Sequence, residues 1–143
     1  MKRLILMLVI IPIKLMSQEI LPDANVIIVK NISFLRICNS LLDSGYNIHK
    51  KDNELMTAET DQRHYPKYWN ATYCIKIRVK DSTAYISGEF TAPPGGGLFY
   101  NEIAKNRTDK TGKTKLKSVD GYVFTIIDSF AHSLSSQITY AKQ

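Results

Sequence analysis

The segment that best matches a ligand-binding motif is Gly112-Lys113-Thr114, which has the form of the end of a phosphate-binding loop. The full motif needs another glycine five residues before Gly112, and Arg107 occupies that position. The run Gly95-Gly96-Gly97 is too short and too far from a helix start to bind an anion, and it is more typical of a turn. The sequence therefore does not predict a nucleotide-binding site.

The histidines and cysteines show no catalytic or metal-binding spacing. A zinc site needs three or four ligands, and the positions of His49, His64 and His132 suggest none. Cys38 is predicted on the buried side of a helix. Cys74 is predicted to be exposed but has no base near it in the sequence, whereas a nucleophilic cysteine needs a lowered pKa. We therefore predict no catalytic residue, no metal and no other cofactor.

Two surfaces remain that could bind a partner. The first is the uncovered face of a predicted β-hairpin, which carries Lys76, Arg78, Tyr85, Ser87 and Glu89. The second is a basic loop at 91–117 with an apolar patch, whose candidate contacts are Leu98, Phe99, Tyr100, Lys113 and Lys115. Each surface could instead simply face solvent, since antiparallel sheets often leave one side wet and loops are often mobile.

A helix is predicted directly before the segments that carry these surfaces. Its apolar residues recur at helical spacing: Phe34, Ile37, Cys38, Leu41 and Leu42. Ser33 is suited to cap the amino end, because its hydroxyl can accept a hydrogen bond from a free backbone N–H. Gly45 can adopt the left-handed conformation that ends a helix. The pattern places Cys38 on the core side.

The strongest strand signal is a hairpin at 72–90, with Asp81-Ser82 as its turn. A two-residue turn places both apolar sets on one face, whereas a one-residue slip would split them. The expected pairs are Val79 with Ala84, Ile77 with Ile86, Ile75 with Gly88 and Tyr73 with Phe90. Cys74 then points away from the helix that carries Cys38. This geometry argues against a disulfide but leaves the question open, since an oxidising compartment would allow one.

The remaining segments complete an α+β pattern. Residues 24–30 are rich in β-branched residues and indicate a strand, and 46–60 contains a second extended segment with a bend at 51–53. Residues 61–70 and 91–117 are expected to be loops. An apolar stripe predicts a helix at 120–138. The order β-α-β-β-β-α favours a two-layer sandwich, with an antiparallel sheet of three to four strands and both helices on one face.

The amino-terminal segment 1–17 has the pattern of a secretory signal peptide. Lys2 and Arg3 precede an apolar run that ends at Ile13, and a cleavage site is expected between Ser17 and Gln18. The apolar run is about half the length of a membrane span. No cysteine lies near the expected cleavage site, so a lipid-modified terminus is not predicted. We expect a periplasmic or secreted protein with no transmembrane helix after cleavage.

Cleavage would also change the charge of the chain. The full 143 residues carry a formal charge of +6, and loss of 1–17 removes three basic residues and no acidic residue, which leaves +3. That charge is ordinary for a soluble domain and argues against nucleic acid as a partner. The remaining 126 residues suit one domain at 18–143, with the basic loop at 91–117 inside it.

Several segments resemble a known group of proteins. Residues 41–46 (LLDSGY) and 77–88 (IRVKDSTAYISG), together with Asp52 and Thr57–Thr60, resemble small secreted proteins of unknown function from Bacteroidetes. The Ser17-Gln18 junction is similar to their signal cleavage site. The order of elements is more remotely similar to the helix-grip domains of the outer-membrane lipoprotein BamC. These resemblances rest on structural residues and imply no active site.

We therefore expect an exported, non-catalytic binding or interaction module, whose partner is an envelope protein or an anionic envelope surface. One alternative is a hydrolase of envelope polymers with a site assembled from distant residues, for which Asp61, His64 and a loop acid are the best candidates. Another is a peripheral envelope protein that binds through the basic loop.

Overall fold

The computed structural model describes residues 21–65, 71–92, 100–107, 119–135 and 137–143. The predicted signal peptide lies outside the described residues. In chain order the elements are β1 (Val26–Lys30), α1 (Phe34–Asp43), β2 (Ile48–Asp52), β3 (Thr57–Thr60), β4 (Arg63–His64), β5 (Thr72–Lys80), β6 (Thr83–Ala92), β7 (Tyr100–Ile103), α2 (Val119–Leu134) and β8 (Ile138–Ala141). Within these ranges, no helix is both long enough and apolar enough to cross a membrane.

The sheet is larger than the sequence predicts. Its strands are all antiparallel neighbours in the order β2-β3-β5-β6-β1-β8, while β4 pairs with β5 and β7 pairs with β6. Eight strands in the described residues overturn the predicted α+β sandwich with three to four strands. Strands β3, β4, β7 and β8 contain four residues or fewer. Such strands are too short for an alternating pattern to reveal them.

The central hairpin of β5 and β6 is confirmed in its register. Val79 pairs with Ala84 and Tyr73 pairs with Phe90, as expected from the two apolar sets. Asp81 and Ser82 both have positive φ angles, at 50° and 57°. Two positive φ angles give a tight turn the same twist as the strands that it joins. The turn therefore fixes which side of each strand faces the core.

Helix α1 begins and ends as predicted. The Ser33 hydroxyl accepts a hydrogen bond from the Arg36 backbone N–H at 3.3 Å, and Gly45 has a φ of 77°. The predicted buried positions are buried except Leu42, which is 53% exposed. Leu42 lies at the border of the apolar stripe, and the sheet does not reach it. Cys38 packs with Phe34 and with Ala58 of β3.

Helix α2 is shorter than predicted, and it packs closely on β6. It ends at Leu134, and Ile138 belongs to β8, which pairs with β1. Ile138 is buried from a strand rather than from the helix, so the apolar stripe continued past the helix by coincidence. A Cβ at position 88 would lie 1.9 Å from Cδ1 of Ile127. Glycine at position 88 therefore permits this close approach.

The predicted loop at 91–117 also contains regular structure. Strand β6 continues to Ala92, and β7 pairs with it through Glu89 and Ile103 at one end and through Ala92 and Tyr100 at the other. Because β7 is flanked by glycine and proline before it and by charged residues after it, its four residues carry no clear strand signal.

Candidate functional site

The side of the sheet that faces away from both helices is here called the open face. Side chains alternate along a strand, and the even-numbered residues of β6 pack toward α2. The odd-numbered residues Thr83, Tyr85 and Ser87 therefore lie on the open face. Residues opposite each other in the ladder share a face, which adds Lys76, Arg78 and Lys80 from β5.

The open face is concave. Its concavity has a volume of about 620 Å³. The lining comes from β1, β2, β3, β5 and β6 and from the segment after β8: Val26, Lys50, Lys51, Asp52, Thr57, Ala58, Glu59, Lys76, Ile77, Arg78, Lys80, Tyr85, Ser87 and Gln143. The concavity thus crosses the sheet from β2 to the residues beyond β8, and a ligand there would touch five strands.

Three of the binding residues predicted from the sequence meet in this concavity. Lys76, Arg78 and Tyr85 line it, and Arg78 is directly opposite Tyr85 in the ladder. Glu89 lies on the same face beside Lys76. Leu98, Phe99, Lys113 and Lys115 lie outside the described residues, and for Tyr100 only the backbone, in β7, is described.

Two ion pairs occupy one end of the open face. Lys76 forms a salt bridge and hydrogen bond with Glu89, and Lys50 lies 3.9 Å from Glu59. The hydrogen bond to Glu89 raises the pKa of Lys76, and burial opposes part of that rise. Lys76 therefore stays charged, but its charge is largely balanced by its neighbours.

Three other cations of the open face have no such balance. Lys30, Arg78 and Lys80 are exposed, and no side-chain hydrogen bond or salt bridge joins any of them to another residue of the described chain. Lys80 and Lys30 lie on either side of Thr83 in one row of the ladder. Arg78 lies in the next row, beside Tyr85. These three residues are called the cation cluster below. Arg78 and Lys80 line the concavity, whereas Lys30 lies on the same face but is not among the described lining residues.

Three basic residues of the open face were not predicted from the sequence: Lys30, Lys50 and Lys80. The predicted hairpin register already places Lys80 on the same face as Arg78, so this residue could have been found. Lys30 could not, because its position beside β6 depends on a pairing between distant strands. Lys50 could not be found from the sequence either, because β2 is connected to the central hairpin only through β3.

Arg107, one of the described basic residues of the predicted loop, forms two ion pairs within the fold. Its guanidinium contacts Asp120 at 2.6 Å and Asp23 at 2.9 Å, and the Asp120 side chain is only 8% exposed. The hydrogen bond to Asp120 raises the pKa of Arg107 further. This cation thus joins the segment before β1 to the start of α2.

Cys74 is on the open face but is not exposed, contrary to the sequence-based expectation. Only 1% of its surface is accessible. Burial, followed by the charge of Glu59, raises its pKa to about 11. Cys38 is buried on the helix side, and burial raises its pKa as well. Both cysteines are free thiols. Because thiolate is the reactive form, neither is activated as a nucleophile.

The histidines lie apart from the concavity. His49 contacts Asp61 at 3.3 Å with both side chains well exposed, and His64 lies in β4. His132 lies 3.8 Å from Asp128, which also accepts a hydrogen bond from Tyr140. In the described part of the chain no three acidic, histidine or cysteine side chains form a metal-binding group. Asp61 therefore has His49, rather than His64, as its ion-pair partner.

Comparison with models of known protein families finds no match, and no curated protein is significantly similar to the chain.

Proposed function

We propose that this protein is an exported, non-catalytic binding module whose open-face concavity binds an anionic partner. The observation that carries the proposal is the cation cluster. Isolated surface cations contribute little to folding, and three on one face repel each other unless an anion lies between them. Their arrangement is therefore better suited to binding than to stability.

The charges of the lining support an anionic partner. The described lining residues include five basic and two acidic side chains. Two of the bases are already engaged, because the Lys51 ammonium lies 5.7 Å from the centre of the Phe34 ring on the helix side and Lys76 is paired with Glu89. The two acids are already engaged: Glu59 lies beside Lys50, and Asp52 accepts hydrogen bonds from the backbone N–H groups of Glu54 and Leu55, each at 2.9 Å. A concave surface with one dominant charge also concentrates ligands of the opposite charge.

The proposal is tested by comparing two double variants that remove equal charge from the two predicted surfaces. Fluorescent dextran sulfate is titrated with the unmodified chain, with Arg78→Ala/Lys80→Ala and with Lys113→Ala/Lys115→Ala. We expect the first variant to weaken binding by about tenfold, because it loses two charge-assisted contacts. The second variant should bind within about twofold of the unmodified chain, allowing for its weak long-range contribution.

Equal weakening in both variants would show nonspecific attraction to the net charge, and selective weakening in the second would move the site to the basic loop. Either result contradicts the proposal. Circular dichroism of each variant controls for folding. The salt dependence of binding should become shallower for Arg78→Ala/Lys80→Ala, since fewer counterions are exchanged.

Export is the second component of the proposal, and the pattern of 1–17 supports it. The full-length chain is expressed in a bacterium with a periplasm and recovered from the periplasmic and cytoplasmic fractions. We expect mature protein that begins at Gln18 in the periplasm or the medium. Full-length protein confined to the cytoplasm would contradict export without bearing on the concavity.

A further inference from the structure

The cation cluster has the composition of a site for a tetrahedral oxyanion. It combines one guanidinium from Arg78 with two ammonium groups from Lys30 and Lys80. The side chains of Thr83 and Tyr85 lie on the same face, with Thr83 between Lys80 and Lys30 and with Tyr85 beside Arg78. Guanidinium can donate two parallel hydrogen bonds to one oxyanion, and ammonium and hydroxyl groups can satisfy its remaining oxygens.

The spacing of the ladder allows these groups to converge. Neighbouring strands lie about 4.8 Å apart, so the Cα atoms of Lys30 and Lys80 are about 10 Å apart on either side of Thr83. Arg78 and Lys80 are two residues apart on β5, which is about 7 Å. Long, flexible lysine side chains span such distances, so all three cations can reach one anion above the Thr83 hydroxyl.

The other residues that line the concavity favour one kind of molecule as the carrier of the anion. Sites for folded protein partners have an apolar and aromatic centre, whereas Tyr85 is the one aromatic residue among the described residues of this lining. Extended peptides usually pair with a sheet edge through their backbone rather than lie across a face. Thr57, Ser87 and Gln143 instead offer hydrogen-bonding groups along the concavity, and these suit the many hydroxyls of a sugar polymer.

Resting on the proposed function, we infer that the ligand is a glycan that carries phosphate or sulfate esters, and that Lys30, Arg78, Lys80 and Thr83 bind one such ester group. The sugar chain extends from this group across the sheet, past Tyr85 and Ser87 toward β2. The cluster distinguishes a three-oxygen ester head from a planar carboxylate, since its donors approach from three sides.

Polymers with one backbone and different anionic groups test this inference. The unmodified chain is titrated by calorimetry with dextran sulfate, dextran phosphate and carboxymethyl dextran of matched length and substitution, and with poly-glutamate. We expect the sulfate or phosphate polymer to bind at least about fivefold more tightly than carboxymethyl dextran and poly-glutamate, which corresponds to about one additional hydrogen bond of ordinary strength.

Two variants and one control variant test which residues distinguish the ester polymers from carboxymethyl dextran. Lys30→Ala and Thr83→Val should reduce the preference for the ester polymers over carboxymethyl dextran to about twofold or less. Ser87 lies two rows from Thr83 and one row from Arg78. Ser87→Ala should therefore leave the preference unchanged, although it can weaken all polymers equally. Circular dichroism confirms that each variant is folded.

The outcomes separate the inference from the proposed function. Equal affinity for the ester and carboxylate polymers, or tighter binding of poly-glutamate, would overturn the ester-bearing glycan and leave an anion-binding concavity in place. A preference that survives in Lys30→Ala and Thr83→Val would overturn the assigned residues. Absence of binding to every anion would overturn the proposed function, and the inference would fall with it.

Discussion

Ile86 and Ser87 are neighbours in β6, but their side chains lie on opposite faces of the sheet. Ile86 is fully buried with the main core, whereas Ser87 lines the open-face concavity. The same alternation separates Ile77 from Arg78 on β5. One face is filled by apolar side chains that the fold needs, and the other carries cations that the fold does not need. The proposed binding surface is therefore the face whose side chains the fold does not need.

The largest expected effect on stability comes from truncating a buried side chain on the helix-facing side of the sheet. Ile86→Ala removes a fully buried side chain and leaves a cavity, and it should lower the free energy of unfolding by about 2–5 kcal/mol. Ser87→Ala on the adjacent residue should change it by no more than about 0.5 kcal/mol. Urea denaturation followed by circular dichroism measures both. Similar losses in the two variants would show that the faces are not distinct in energy.

Adding a methyl group to the same face should lower the free energy of unfolding by a smaller amount. Gly88→Ala places a Cβ against Ile127, and because the end of that side chain can shift only within a packed core, we expect a loss of about 1–3 kcal/mol. Ile127→Val removes the Cδ1 methyl group that would be contacted. The double variant Gly88→Ala/Ile127→Val should lose less free energy of unfolding than the sum of the losses in the two single variants. Additive losses would show that the strain does not arise from the contact with Ile127.

Cys74 is an exception to this comparison, because it lies on the open face but is buried. Its unfolded-state pKa is near 9.0, and burial raises the folded value to about 11. The folded state therefore favours the protonated thiol, so its contribution to stability is complete below pH 9 and declines as the pH rises toward 11. We expect the free energy of unfolding to fall by up to about 2 kcal/mol between pH 9 and pH 11. This fall should shrink in Cys74→Ala, measured by urea denaturation at pH 7 and pH 11.

The thiol reagent DTNB gives an independent check on both cysteines. Cys38 and Cys74 should react slowly in the folded protein and completely in denaturant, with two thiols per chain. Rapid reaction of Cys74 without denaturant would show that its side of the open face opens in solution. A single thiol or none after unfolding would contradict the free-thiol state of both residues.

The smallest effect on stability is expected where the effect on binding is largest. Arg78→Ala and Lys80→Ala should each change the free energy of unfolding by less than about 0.5 kcal/mol, since neither cation has a partner to lose. Slight stabilisation would fit relief of repulsion within the cluster. Thermal denaturation in low salt measures this. A loss above 1 kcal/mol would assign these residues a structural role and remove the distinction between the faces.

Local patterns predicted the parts of this fold that depend on nearby residues. The β5–β6 hairpin and α1 were predictable because their turns, caps and apolar periods lie within a few residues of each other. The same hairpin register placed Lys76, Arg78 and Tyr85 on one face. Short strands such as β7 and β8 were not predictable, because four residues give too little alternation.

The site was only partly predictable for a related reason. Lys30 joins the cation cluster through pairing between β1 and β6, which are separated by more than 50 residues. No local pattern specifies which distant strands become neighbours. The concave shape of the open face depends on all of the strands that form it, so it too could not be derived from one segment.

The position of β1 has a consequence for how the chain folds. Its two neighbours in the sheet are β6 and β8, and Val26 pairs with Ala141, 115 positions later. Contacts between residues so far apart close large loops and slow folding. During synthesis, the second edge of β1 stays unpaired until nearly the whole described chain has been made. A chain that completes its sheet so late leaves this edge of β1 exposed until β8 has been made, and an unpaired edge strand is prone to aggregation.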